Sequence, residues 1–175
     1  HPLSRAAARA VPDADLRNDE ERGPRTGTRA GVDVLIRAGI EGATLLDLGA
    51  GIGAIQLELL AAGAASAESV DATEAYVTVA GAEAARRGFG DRTHGRVGDF
   101  VRLAAEVAPA DLVTLDKVVC CYSDVDALVG QVAGHARRSI GLVSPRDAWW
   151  NRIASRAFAV VGWLRRDPTR WYQHP

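Results

Sequence analysis

The chain has 175 residues, 47% of them hydrophobic, which suits one compact domain with a sizeable core. Its net charge of −1 gives no electrostatic footprint for nucleic acid. No uninterrupted apolar stretch is long enough to cross a bilayer, and no secretory signal is visible in a sequence that starts at His1 and lacks Met. The two cysteines, Cys120 and Cys121, are adjacent and follow valines; they read as buried small hydrophobes in a reducing cytoplasm, without metal-site spacing. Only Lys117 among the 21 basic residues is lysine, so arginine by itself carries little functional signal.

Residues 1–25 are Ala-, Arg- and acid-rich, with Pro2, Pro12 and Pro24 and nearly balanced charges. Little apolar periodicity is present, which suggests a mobile arm or a loosely docked helix preceding a domain over 26–175. A helix is expected near Gly27–Ile40, with Val34, Leu35 and Ala38 on one face. Thr44–Leu48 reads as a short apolar strand that opens into glycines, and Ala54–Gly63 as a helix stopped by Gly63. A second strand ends at Ser69–Asp71; Thr73 can cap a helix over about Glu74–Arg87, which Gly88 terminates.

A third strand falls near Thr93–Val97, and a short helix follows that ends before Pro109. Ala110–Leu115 is the strongest buried-strand signal, and Ser123 or Asp124 caps a helix to about Arg138. Ser139–Ser144 is the fifth strand, stopped by Pro145; a longer helix over Trp149 to about Arg166 and a sixth strand from Arg170 to His174 complete the pattern. Short strands separated by helices need crossover connections. The fold class is therefore α/β: a Rossmann-like, doubly wound, mainly parallel sheet with helices on both faces. Such sheets bind ligands at the carboxyl ends of their strands.

Those ends carry the unusual residues. Asp47-Leu48-Gly49-Ala50-Gly51-Ile52-Gly53 links the first strand to a helix whose N-terminus offers free N–H groups. Glycines there allow a sharp turn and a close approach to a ligand. Asp47, inside the strand end, is costly to bury unless it accepts hydrogen bonds or meets a cation. A carboxylate is badly placed beside a dinucleotide's pyrophosphate and well placed beside an ammonium or sulfonium. Asp71 stands 20 residues beyond Gly51, the separation at which a Rossmann-like unit presents a carboxylate to ribose hydroxyls; the plainer reading is a capping-region acid. Gly98-Asp99-Phe100 follows the third strand, where Asp99 either accepts from an exocyclic amine or caps the next helix.

An acid, any residue and three alternating glycines resemble the first motif of class I S-adenosylmethionine-dependent methyltransferases. Asp71 and "GDF" match the family's next two segments, and the resemblance covers roughly Thr44 to Ser144. It implies S-adenosylmethionine as cofactor, with Asp47, Gly49, Ala50, Gly51 and Gly53 around its methionine part. Asp71 and Ala72 would hold the ribose, and Gly98, Asp99 and Phe100 the adenine. The loop after the fourth strand, Asp116–Asp124, would face the methyl group; this puts Asp116 and Lys117 beside the cofactor and makes Asp116 and Tyr122 candidates for proton removal. The bland alternative is that Asp116 orders the loop and Tyr122 packs in the core.

Arg146, Asp147, Trp149 and Trp150 would sit by the same mouth, and "DLVTLDKVVCCYSD" with "SPRDAWW" is loosely similar to the magnesium-protoporphyrin O-methyltransferase-like group. From Arg137 to Arg170 eight arginines stand against two aspartates, a net of +6 that suits an acidic acceptor or a solvated face. The expectation is O- or N-methylation of a small molecule, acidic or aromatic, without nucleic acid or metal. The same topology also serves nicotinamide-dependent oxidoreductases and non-catalytic binding modules. Family members usually end in an antiparallel strand pair. The chain stops at Pro175 inside the first of that pair, which implies a fragment or a sheet completed otherwise, such as by a homodimer.

Overall fold

The computed structural model describes residues 5–119 and 122–143. Five parallel strands form one sheet in the order β3-β2-β1-β4-β5. They are β1 (Thr44–Leu48), β2 (Ser66–Asp71), β3 (Thr93–Val97), β4 (Ala110–Asp116) and β5 (Ala136–Val143). The helices are α1 (Arg5–Arg22), α2 (Thr26–Ala38), α3 (Ala54–Ala61), α4 (Glu74–Arg86), the single turn α5 (Phe100–Leu103) and α6 (Val125–His135). The order runs outward from β1 in both directions, so the switch point lies between β1 and β4, where doubly wound sheets form their ligand crevice.

Alternation along the strands builds two cores. Leu45, Ala67 and Leu112 face one side and pack with Val32 and Leu35 of α2 and Ile55, Leu59 and Leu60 of α3. Leu46, Leu48, Val70, Val113 and Leu115 face the other and pack with Phe100, Leu128 and Val132 of α5 and α6. Burial on both faces explains why β1 and β4 read as continuous apolar runs. Asp47 shares the parity of Leu45 and is the register partner of Thr114, so a carboxylate and a hydroxyl meet inside the sheet's first layer.

Three expectations need correction. In α2 the buried stripe is Thr28, Val32 and Leu35, while Val34 is 56% exposed and Ala38 is also exposed. Successive residues turn by about 100°, and spacings of four and three place 28, 32 and 35 together. The helix α6 ends at His135 rather than near Arg138, because β5 begins three residues earlier than expected. A register shift sets Ala110 opposite Ala136 but Leu112 opposite Ser139. The extra residue in β5 lets consecutive Arg137 and Arg138 both reach solvent, a bulge that alternation alone could not announce. Thr73 occupies the N-cap position of α4 but its side chain makes no capping bond.

The stretch expected as an arm or loosely docked helix contains α1, which packs on α4. Its ties are largely polar: Tyr76 donates to Asp15 at 2.8 Å, Arg86 meets Glu20 at 3.2 Å and Arg87 lies 3.9 Å from Asp19. Both arginines also clamp Glu83, a carboxylate only 3% exposed that they hold below the usual carboxylate range. No helix among the described residues is long and apolar enough to cross a membrane. The expected helix over 149–166, the sixth strand, the C-terminal strand pair, Cys120, Cys121 and the residues Arg146, Asp147, Trp149 and Trp150 lie outside the described residues.

Candidate active site

A cavity of about 940 Å³ opens at the carboxyl ends of β1, β2 and β4 and beside the β3–α5 turn. Leu48 to Ile52, Val70 to Thr73, Gly98 to Phe100 and Asp116 to Val118 line it, so the segments singled out after the first four strands converge there. Helix α1 and the turn after it complete one side with Asp15, Asn18, Asp19 and Arg25, and Tyr76 adds a wall from α4.

The glycine loop works by two different means. Gly51 has φ +56°, and a Cβ there would point to open space, its nearest neighbour being the Tyr76 ring at 4.0 Å. That space is part of the cavity, which Gly51 lines. Gly49, at φ +62°, is required by the protein itself, because a Cβ would come within 2.5 Å of Val118 on the β4 loop.

The predicted spacing between Gly51 and Asp71 is realised as a bond. The Gly51 N–H donates to Asp71 Oδ2 at 3.1 Å, and the Thr73 N–H to Asp71 Oδ1 at 2.8 Å. Asp71 thus ties the end of β2 both to the loop after β1 and to the residue that precedes α4. Its carboxylate still lines the cavity. The Gly49 and Gly98 N–H groups close the neighbouring turns on Val70 and Asp71 carbonyls at 2.8 and 2.9 Å.

Asp47 is 2% exposed. Thr114 donates to its Oδ1 at 2.6 Å, while Oδ2 has no partner among the described residues. Burial pushes its pKa up to about 7 against the Thr114 bond, and the nearby Asp116 and Asp71 charges add to the rise. Asp47 borders the cavity with Oδ2 shielded from solvent, and a carboxylate in that place suits a cationic group and repels a pyrophosphate. The donor set therefore fits an ammonium or sulfonium ligand, and a nicotinamide dinucleotide poorly.

Asp99 acts as a helix cap, accepting from Val101 N–H at 3.1 Å at the start of α5, and also borders the cavity. Phe100 also borders the cavity, but its ring packs edge-on against His135 in the core at 5.1 Å between centroids. Ala72 borders the cavity beside Asp71.

The β4 loop divides between two neighbourhoods. Asp116 accepts from Thr28 of α2 at 2.6 Å and from Lys117 Nζ at 2.8 Å, while Lys117 Nζ lies 3.4 Å from Thr28 Oγ1. Lys117 adopts φ +60°, strained for a residue with a Cβ, and its N–H is fixed on the Val143 carbonyl at 2.8 Å. Tyr122 turns instead toward Asp99, to which its hydroxyl donates. Burial and then that contact push the phenol up to about 12. The two residues considered together as proton acceptors thus have different partners.

Sequence reasoning missed Thr28, Tyr76 and Asp15. Thr28 carries no motif and reaches Asp116 only because α2 packs on β5, the strand next to β4. Tyr76 sits within a helix that announces only its own start and stop. No group of described residues has metal-ligand geometry.

An acid-rimmed crevice at the switch point of a parallel sheet, with a glycine loop beneath it, defines a nucleoside-binding enzyme of the Rossmann-like class. The family described as a methyltransferase domain matches residues 46–139, and the chain belongs to it. S-adenosylmethionine is its cofactor and methyl donor. Among solved structures, magnesium protoporphyrin IX methyltransferase from Synechocystis PCC 6803 with bound SAH is similar with a TM-score of 0.68 and 20% identity, over 97% of this chain and 81% of that one. The YcgJ protein from Bacillus subtilis has a TM-score of 0.64 and 22% identity, over 83% and 62%. An O-methyltransferase family protein from Burkholderia thailandensis has 0.62 and 18%, over 77% and 39%. At these identities the likeness establishes the fold. No curated protein matches the chain in sequence.

Proposed function

We propose that the enzyme methylates an oxygen or nitrogen atom of a small-molecule acceptor seated between the β4 loop and α1. The observation that carries this reading is the distribution of carboxylates around one cavity. Asp47, Asp71 and Asp99 lie along the segments after β1, β2 and β3, whereas Asp116 stands with Lys117 and Thr28 on the side of α2. In this reading the first three hold the cofactor: the Asp47 carboxylate lies near its cationic end, Asp71 and Ala72 at its ribose, and Gly98, Asp99 and Phe100 at its adenine. The glycines and Ala50 supply the close backbone surface.

Bound S-adenosylmethionine supplies a methyl group activated by a sulfonium. In-line displacement asks the protein chiefly to align and desolvate the acceptor. The strained Lys117 and the Thr28 bond hold the Asp116 carboxylate in a fixed position at the end of β4. Asp116 Oδ1 can take a proton from an acceptor that carries one, as Lys117 Nζ withdraws to its other contacts. The Lys117 ammonium also gives an acidic acceptor a cationic partner, and the arginines of the 137–170 segment are consistent with such an acceptor.

Calorimetric titration with S-adenosylmethionine and with NAD, followed by methyl-transfer assays on acidic aromatic acceptors, tests the reading. Micromolar binding of the first alone, with transfer to such an acceptor that falls in Asp116→Asn, supports it. Transfer only to macromolecules, or full turnover in Asp116→Asn, would overturn it.

A further inference from the structure

We infer that Tyr122 is a positioning residue of the adenine subsite, which acts through Asp99 rather than on the methyl acceptor. The inference rests on the cofactor placement proposed above. Asp99 Oδ1 receives two donors from the protein, the Val101 N–H at 3.1 Å and the Tyr122 hydroxyl. Its capacity on the protein side is thereby largely used. Among the described residues, Oδ2 has one competitor, the exposed Arg102, whose Nε lies 3.6 Å away. That distance is a loose ion pair across a solvent-facing edge, worth little by itself.

The carboxylate therefore has two possible allegiances. With Tyr122 in place, the phenol and the α5 N-terminus fix the plane of the carboxylate, and Oδ2 remains for a donor in the cavity. A donor is what adenine presents there through its exocyclic amine; hypoxanthine would present a carbonyl oxygen and meet repulsion. Without the phenol, Asp99 can rotate toward Arg102 and solvent. Tyr122 is suited to this task because its ring is anchored: it packs on the core formed by Leu46, Val113 and Leu128. Its pKa, pushed up to about 12 by burial and by the contact with Asp99, keeps it a donor at neutral pH. A phenol whose proton is committed to a carboxylate is also poorly placed to take another.

The test measures binding by calorimetry, with S-adenosylhomocysteine and its hypoxanthine counterpart, S-inosylhomocysteine, as probes. Wild type, Tyr122→Phe and the double variant Tyr122→Phe/Arg102→Ala are compared, with thermal unfolding to confirm that each is folded. Wild type is expected to prefer the adenine probe by about tenfold or more, the scale of a hydrogen bond to a charged group. Tyr122→Phe should reduce that preference to about threefold or less, and removal of Arg102 in the same chain should restore at least about twofold of it, which a merely structural role would not do. A full wild-type preference in folded Tyr122→Phe overturns the inference. Equal wild-type affinity for both probes overturns the placement of adenine at Asp99 while leaving the cofactor in place. No affinity for either probe overturns the cofactor placement itself.

Discussion

The two ends of the cavity are built differently. Along the cofactor wall Asp71 and Asp99 act on backbone N–H groups of the strand-end turns: Asp71 holds those of Gly51 and Thr73, and Asp99 caps the turn that begins at Phe100, while Asp47 reaches across the sheet to Thr114. At the other end the contacts span long stretches of chain. Thr28 and Asp116 are 88 residues apart, and Tyr76 and Asp15 are 61 apart. The wall is a set of strand–turn–helix units that repeat one solution, whereas the acceptor end exists only where separate elements meet. Binding of the cofactor and handling of the acceptor should therefore be separable by mutation.

The largest effect is expected at Asp71, which both ties the loop and faces the cavity. Asp71→Ala should weaken S-adenosylmethionine binding by about 100-fold, since two backbone bonds and a charged ligand contact are lost together. A change below about threefold would show that the wall does not depend on this carboxylate. Calorimetry reads the outcome.

Asp47 gives the next largest effect, with a sign that depends on the ligand. Burial raises its pKa in the folded state above its unfolded value, so the folded protein binds more protons between about pH 4 and pH 7 and loses stability as pH rises through that window. Asp47→Asn should therefore raise the unfolding temperature of the ligand-free enzyme at pH 8, by about 1–3 kcal/mol of stability, and do little near pH 4. The cationic cofactor favours the ionised carboxylate, so wild-type affinity should fall as pH drops below about 7. In Asp47→Asn, affinity at pH 8 should be about tenfold weaker and nearly flat with pH. Equal pH profiles for the two proteins would remove Asp47 from the cationic subsite.

Thr28→Val sharpens the comparison from the acceptor end. Loss of the Thr28 hydroxyl donor to the Asp116 carboxylate, which keeps Lys117 as a partner, should lower kcat about threefold to tenfold while cofactor affinity changes less than about twofold. A matching loss of cofactor affinity would show that the two ends are one unit. The smallest effect belongs to α1. Its polar ties to α4 are exposed or half-buried and screened by salt, so Asp15→Asn should change cofactor affinity only about twofold to threefold. Titrations at low and at 0.5 M salt should converge in that variant, and a salt response as large as wild type would remove Asp15 from the latch.

The glycine loop, Asp71 and Asp99 were legible because their chemistry is encoded within a few residues: a turn that needs positive φ, a strand that ends and a helix that begins. The layered parallel sheet was equally legible, since strands buried on both faces cannot alternate and must be joined by helices. The stripe of α2 was misread because Val34 and Leu35 are adjacent, and only packing against α3 and β5 shows which of the two faces inward. The start of β5 was misread because its bulge is set by pairing with β4, which no local pattern records. Asp47 shows both levels in one side chain. Its position before the glycines marked it as a group that needs a cation or a donor, but the single Thr114 bond and the orphaned Oδ2 come from a strand 67 residues away. Tyr122 likewise named itself as a phenol after β4; its choice of Asp99 over the Asp116 side is a matter of where two loops come to rest. Local chemistry fixes what a residue can do, and only the packing of distant elements decides which partner it does it to.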